Sequence, residues 1–314
     1  MKCLLQYVAM TGWGLCTYRI GAGADTLGAL RHDDGAVVAV PGAGEGGLIA
    51  ALQRGDDLAG RLAGWDPEGL DVVPDAVLLA PLRYPRKLIC AGVNYASHMA
   101  EMGAAPPGPD WEAWFFLKPP STTVVGPGEA VRIDPDPAEQ VDWEGELGIV
   151  IGRGGRDISA SDAATHVAGF TVVNDVSARG PHRRDGAPHD AFRFDWLASK
   201  AQDTFCPMGP AVTPSWVLPD PDDCRLRLWV GDELLQDERV GNMIVGWRGL
   251  VSAASRRVTL EPGDVIAAGT PAGVGVPRGR FLRPGEVVRV EIEGIGALTN
   301  PVVARRPAVV AGTV

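Results

Sequence analysis

The chain has 314 residues, 46% hydrophobic and 22% charged, so it can bury a sizeable core and does not read as a disordered polyelectrolyte. A formal net charge of −10 argues against a nucleic-acid backbone as partner. It still allows a small anionic substrate where cations or a metal ion gather locally. Five cysteines, at 3, 16, 90, 206 and 224, form no CxxC pair, which points to reduced thiols in a cytoplasmic protein rather than a zinc ribbon or disulfide framework.

The opening MKCLLQYVAM is interrupted by Gln6 and no cleavage site follows; Met10 also fits as a start. No apolar run approaches the ~20 residues that span a bilayer. Residues 16–40 read as two short strands around the polar turn HDDG. Residues 45–63 favour a helix marked by Leu48, Leu52, Leu58 and Leu62. A proline-punctuated link from Pro67 to Pro85 divides a small α+β amino-terminal domain, 1–80, from the main domain, 81–314. KLICAGVNY (87–95) reads as a buried strand, and SHMAEMG (97–103) as a short helix capped by Ser97 and stopped by Gly103. AAPPGPDWEAW is a loop that reads as mobile. Strands follow in GELGIVIG, HVAGFTVVND, RLRLWVGDELL, DVIAAGT and VVRVEIEGIGAL, with one helix over 241–257. Many strands and few helices predict a β-rich α+β domain, not a doubly wound fold. GTPAGVG (269–275) lacks the lysine of a phosphate loop.

Four features carry chemistry. VDWEGELGIVIG sets Glu144 and Glu146 on one face of a strand, roughly 7 Å apart at Cα. Asp175 ends FTVVND, where a neighbouring strand can bring it to that pair. Three carboxylates at one point raise one another's pKa unless a hard dication joins them, and oxygen-only ligation suits Mg²⁺, Mn²⁺ or Ca²⁺. The competing reading is a solvated face on an edge strand. His98 and Glu101, three apart, form either a general-base pair or an ordinary surface pair. Arg179 and Lys200 stand near strand ends, as anion-binding cations or as solvated side chains. The loop with His182, Arg183, Arg184, Asp185, His189 and Asp190 reads mainly as surface or oligomer contact.

CAGVNYASHMAEMG, FFLKPPSTTVVGPG, DWEGELGIVIG, VAGFTVVNDVSAR, SKAQDTFCPMGP, LEPGDVIAAGTPAGVG and FLRPGEVVRVEIEGIGALTNP, in this order over about 85–303, resemble the fumarylacetoacetate hydrolase family. The resemblance implies a mixed β-sandwich roll preceded by a small domain, commonly as a homodimer. It implies Glu144, Glu146 and Asp175 as ligands of Mg²⁺ (or Mn²⁺; Ca²⁺ also fits), and His98, Glu101 and Lys200 as catalytic residues. Arg179, Thr270, Gly269 and Tyr95 then contact substrate, the 269–275 loop offering N–H groups and a hydroxyl to a carboxylate. Lys118 matches a further family position. The implied activity is hydrolysis of a C–C bond in a 2,4-dioxo acid of acylpyruvate type, residues 99–112 ordering over the site. The alternative is decarboxylation, isomerisation or hydration of a 2-oxo acid on the same site, and a non-catalytic binding module ranks last. The chain departs from the family after Arg179, where GPHRRDGAPHDAFRFDW intervenes, and at SKAQDTF, so the group beyond the oxo acid stays open.

Overall fold

The computed structural model describes residues 12–105, 107–108 and 111–305. Cys3 and Met10 fall outside them, as do three positions of the 104–114 loop. Two sheets dominate. The larger has eleven strands. Its continuous path runs Val37–Ala39, Thr26–Arg31, Trp13–Ile20, Cys206–Pro214, Val167–Asn174, Gly145–Ile151, Val265–Ala267, Leu88–Gly92 and Trp114–Leu117. The smaller has five: Glu233–Arg239, Arg225–Val230, Val287–Ile292, Gly296–Ala304 and Val131–Ile133. Most pairings are antiparallel, but Val265–Ala267 runs parallel to Leu88–Gly92. The architecture is a β-rich, mixed α+β fold.

Alternation along the strands builds the core. Leu147, Ile149, Phe170 and Val172 of the large sheet meet Leu226, Leu228, Val288, Val290 and Leu298 of the small one. The opposite face of the large sheet, with Val150, Val173, Cys206 and Met208, is covered by Leu48, Ala51, Leu52, Leu58 and Leu62. The strand Gly145–Ile151 is thus buried on both faces and sits mid-sheet. The amino-terminal strands continue the same sheet, Leu15 pairing with Val212.

Several local expectations change. The amino-terminal region holds three strands before its first helix, because the chain turns twice. The expected helix over 45–63 is two, Gly47–Arg54 and Leu58–Arg61, broken at Gly55, which takes the left-handed conformation of a helix stop. The helix expected over 241–257 begins only at Trp247. The strand expected to reach Tyr95 stops at Gly92, because Val93 has φ 54°. Ser97 does not cap the next helix, Ala96–Glu101; Tyr95 occupies that position without a side-chain bond. Gly103, with φ 75°, does follow the helix end. Cys16, Cys90, Cys206 and Cys224 are free thiols. No helix among the described residues is long and apolar enough to cross a membrane.

Candidate active site

Sheet register assembles the acids. Gly145 pairs with Asn174 and Glu146 with Val173, so the chain leaving Asn174 delivers Asp175 beside Glu144 and Glu146. The Asp175 N–H donates to the Glu144 carbonyl (2.8 Å), and the Glu144 N–H to the Asn174 side chain (3.0 Å). Glu144 itself lies one residue before the strand, so strict alternation does not set its direction; these two bonds do. One ligand oxygen from each of Glu144, Glu146 and Asp175 falls within 4.8 Å of the others, and all three side chains are buried. Burial mid-sheet excludes the solvated edge-strand reading.

Three cations approach the cluster. Lys200, on the helix Trp196–Lys200, donates to Glu144 (2.6 Å) and Asp175 (2.7 Å). Lys118 donates to Asp175 and to the carbonyls of Val176 (3.0 Å) and Phe205 (2.6 Å). Arg179 bridges Asp142 (3.0 Å) and Glu144 (2.5 Å). Lys118 and Lys200 are buried, which excludes a solvated role for Lys200. Burial alone would raise the Glu144 pKa, but Lys200 and Arg179 outweigh it and hold this carboxyl well below its usual range. Glu146 goes the other way. Burial, then the charges of Asp175 and Glu144, push it well up. Its one hydrogen bond among the described residues comes from the Gly269 N–H (2.8 Å).

That imbalance tests the metal directly. Among the described residues Glu146 is a buried acid with no ion pair, beside two further carboxylates that with it offer three oxygen ligands. A hard dication would supply the missing charge, so the residues present fit one.

His98 and Glu101 lie on the Ala96–Glu101 helix. The Glu101 carboxylate accepts from His98 Nδ1 (2.7 Å) and from the Gly273 N–H (2.7 Å). Because an ionised carboxylate only accepts, Nδ1 carries the proton and Nε2 remains a base. Both side chains are largely buried, so this is not a surface pair. Ser97 helps dock the helix, its hydroxyl accepting from the Ala272 N–H (3.3 Å).

The 269–275 loop differs from expectation. Its donors serve the protein's own acids: Gly269 to Glu146, Gly273 to Glu101 and Gly275 to Asp142 (2.7 Å). The Thr270 hydroxyl donates to the Gly145 carbonyl (2.9 Å). Thr270 does line the cavity, but the loop braces the site instead of presenting a free carboxylate nest. Tyr95 sits in the core, its hydroxyl donating to Val240 O (3.2 Å), and is not among the residues that line the cavity.

Gln236, Asp142 and Asn174 were not legible as site residues. Gln236 Oε1 accepts from the Gly145 N–H (2.9 Å), and its Nε2 donates to Thr270 Oγ1 and Pro271 O (both 2.8 Å). It thus ties the strand of the acids to the loop. No local pattern marks it; only its place on Glu233–Arg239, a strand of the other sheet, brings it there. His182 also lines the cavity, where a surface role was expected. Burial, then Arg179 and Lys200, lower its pKa.

The cavity has a volume of about 100 Å³ and gathers His98, Glu144, Glu146, Arg179, Lys200 and Thr270. Fold and site define a β-roll protein with a buried oxygen-ligand metal site beside a histidine–glutamate pair. The model of the fumarylacetoacetate (FAA) hydrolase C-terminal domain matches residues 87–303, and the chain belongs to that family. The oxaloacetate tautomerase fahd2, mitochondrial, of Xenopus laevis is 43% identical over 228 residues, 72% of this chain and 68% of that protein. The fumarylacetoacetate hydrolase of Exiguobacterium antarcticum superposes with TM-score 0.76 at 34% identity, over 94% of this chain and all of the other. A maleylpyruvate hydrolase of Sphingobium sp. SYK-6, in complex with manganese(II) and pyruvate, gives 0.72 at 30% identity, over 93% of this chain and all of the other.

Proposed function

We propose that the protein is a divalent-metal-dependent isomerase of small 2-oxo acids that moves a proton between the 2-oxygen and C3. Keto–enol interconversion of an oxaloacetate-like acid is its simplest reaction. The observation that carries this reading is the placement of Glu144, Glu146, Lys200 and His98 around one cavity, with Asp175 grouped with the two glutamates and Glu101 bonded to His98. The tautomerase name of the Xenopus laevis relative supports proton transfer over the C–C hydrolysis that the family resemblance first implied.

Glu144, Glu146 and Asp175 would hold a hard dication (Mg²⁺, with Mn²⁺ as the alternative), which would supply Lewis-acid stabilisation of the negative charge of an enolate. The chain's own residues do the rest. Lys200 adds positive charge next to Glu144 and Asp175, where that charge develops. His98 Nε2 takes the enol proton, and Glu101 stabilises the imidazolium that forms. The same nitrogen returns a proton to C3. The helix Ala96–Glu101, docked on the 269–275 loop, limits water at the cavity.

C–C hydrolysis is the second reading, favoured by the same His98–Glu101 pair, which can equally activate water. Freshly dissolved enol-oxaloacetate, followed by its ultraviolet absorbance with Mg²⁺ and then EDTA, separates the two. Metal-dependent acceleration without pyruvate release is the expected result. Release of pyruvate plus a carboxylic acid from acylpyruvates, with no effect on the enol, would overturn the proposal in favour of hydrolysis.

A further inference from the structure

The cavity lining divides by chemistry. Beyond its polar residues it presents Val93, Trp114, Phe116 and Trp196, with His182 against Trp196. The rings form one assembly: centroids are 4.7 Å apart for Trp114–Trp196, 5.2 Å for Phe116–Trp196 and 4.5 Å for His182–Trp196. It begins at the polar end, since Lys200 Nζ sits 5.2 Å from the Phe116 ring centroid. The backbone is shaped to hold it. Trp114 faces Gly92 across the strand pair, and a Cβ at Gly92 would meet the indole at 2.3 Å. Val93 adopts φ 54°, a costly conformation for a β-branched residue, at the point where it joins the wall.

This wall carries no Lys or Arg of its own; its polar atoms are the indole N–H groups and His182, whose Nδ1 is buried without a partner among the described residues. Among the lining residues, Arg179 and Lys200 each already hold two protein carboxylates. The chain as a whole carries a formal charge of −10, which repels a dianion more than a monoanion. The rings line the same cavity as the acids, so an oxo acid head seated at Glu144 and Glu146 has this wall beside whatever C3 bears.

We propose that this site selects 2-oxo acids bearing a planar apolar group on C3, arylpyruvates, over dicarboxylates such as oxaloacetate, the substrate ring lying against Trp114, Phe116 and Trp196. The inference rests on the reading of the polar half as a 2-oxo acid isomerase site. The reaction stays balanced: one O–H bond breaks, one C3–H bond forms, and no electrons are gained or lost. An arylpyruvate enol is flat and conjugated, which suits an aromatic surface.

The test compares kcat/KM for enol-phenylpyruvate and enol-oxaloacetate with the full chain and Mg²⁺. A preference for phenylpyruvate of at least about tenfold is expected, and Trp114→Ala and Trp196→Ala should each shrink that ratio roughly tenfold, through KM. Trp196→Phe should keep the ratio within about threefold. Binding gives an independent readout: phenylglyoxylate, which cannot enolise, should quench tryptophan fluorescence at lower concentration than oxalate. Equal affinity for the two, or an unchanged ratio in both alanine variants, would overturn the inference while leaving turnover of oxaloacetate to support the isomerase reading. No turnover of either enol would defeat the isomerase reading instead, and preferential phenylglyoxylate binding would then still support the aromatic subsite.

Discussion

At Glu146 a single side chain carries the electrostatic tension of the site. It is buried with two other acids and touches no cation, whereas Glu144 and Asp175 each have two or more cation contacts among Lys118, Arg179 and Lys200. Replacing it with glutamine removes a buried ionisable group whose charged form its surroundings disfavour, and one candidate ligand, at once. Glu146→Gln without metal should therefore melt no lower than the parent, and should lose the metal-induced rise. For the parent that rise is about 2.7 kcal/mol at a hundred times Kd. Thermal melts with and without Mg²⁺ check both halves; an unaltered Mg²⁺ response would remove Glu146 from the metal site. His98 is separable from it. It touches Glu101 and no metal-site acid, so His98→Ala should keep Mg²⁺ affinity within about threefold while slowing enol turnover by roughly 100-fold or more. Calorimetric titration and initial rates measure the two effects on one preparation. Retained turnover would mean that another group moves the proton.

Elements, not single residues, explain how far the site could be read in advance. Glu144, Glu146, Asp175, His98 and Glu101 were legible because short motifs carry them and because an antiparallel register can join two strand ends. What the sequence concealed is the bracing, which joins segments far apart. Gln236 spans 91 positions to reach Gly145, and Asp142 spans 133 to reach Gly275. The same blindness explains the 269–275 loop: its N–H groups looked available because the acids that use them come from elsewhere in the chain. The break at Gly55 is a local glycine stop inside a run of leucines, whereas the left-handed Val93 goes against the preference of a β-branched residue. Gln236 is the member most open to experiment. Gln236→Leu strands the Gly145 N–H and frees the loop at Thr270 and Pro271, all in a buried setting. A loss of roughly 2–4 kcal/mol in urea unfolding is expected, together with weaker Mg²⁺ binding, because Glu144 and Glu146 flank Gly145. Unchanged stability and affinity would show that the two sheets hold the loop without this brace.

Across the whole molecule, stability has its own pH dependence, set far from the acids. His32 lies on the turn after Thr26–Arg31, is 4% exposed, and neither ring nitrogen has a hydrogen-bond partner among the described residues. Leu30, Leu78, Pro127, Pro210 and Val287 line the same hollow. Burial lowers its pKa from 6.5 to about 4, with Asp33 opposing weakly. The native state therefore resists a proton that the unfolded chain accepts. Below pH 6.5 the unfolded state binds more protons, so stability falls as the pH drops toward 4 and then levels off. One proton costs about 1.4 kcal/mol per pH unit over that window, or about 3 kcal/mol in all. His32→Leu fills the hollow with an apolar side chain and has no proton to bind. The difference in unfolding free energy between variant and parent should grow in the variant's favour as the pH falls from 6.5 to 4.5, whatever the carboxylates contribute to both. Urea titrations at three pH values suffice, and parallel curves would show that His32 finds a partner when it is protonated.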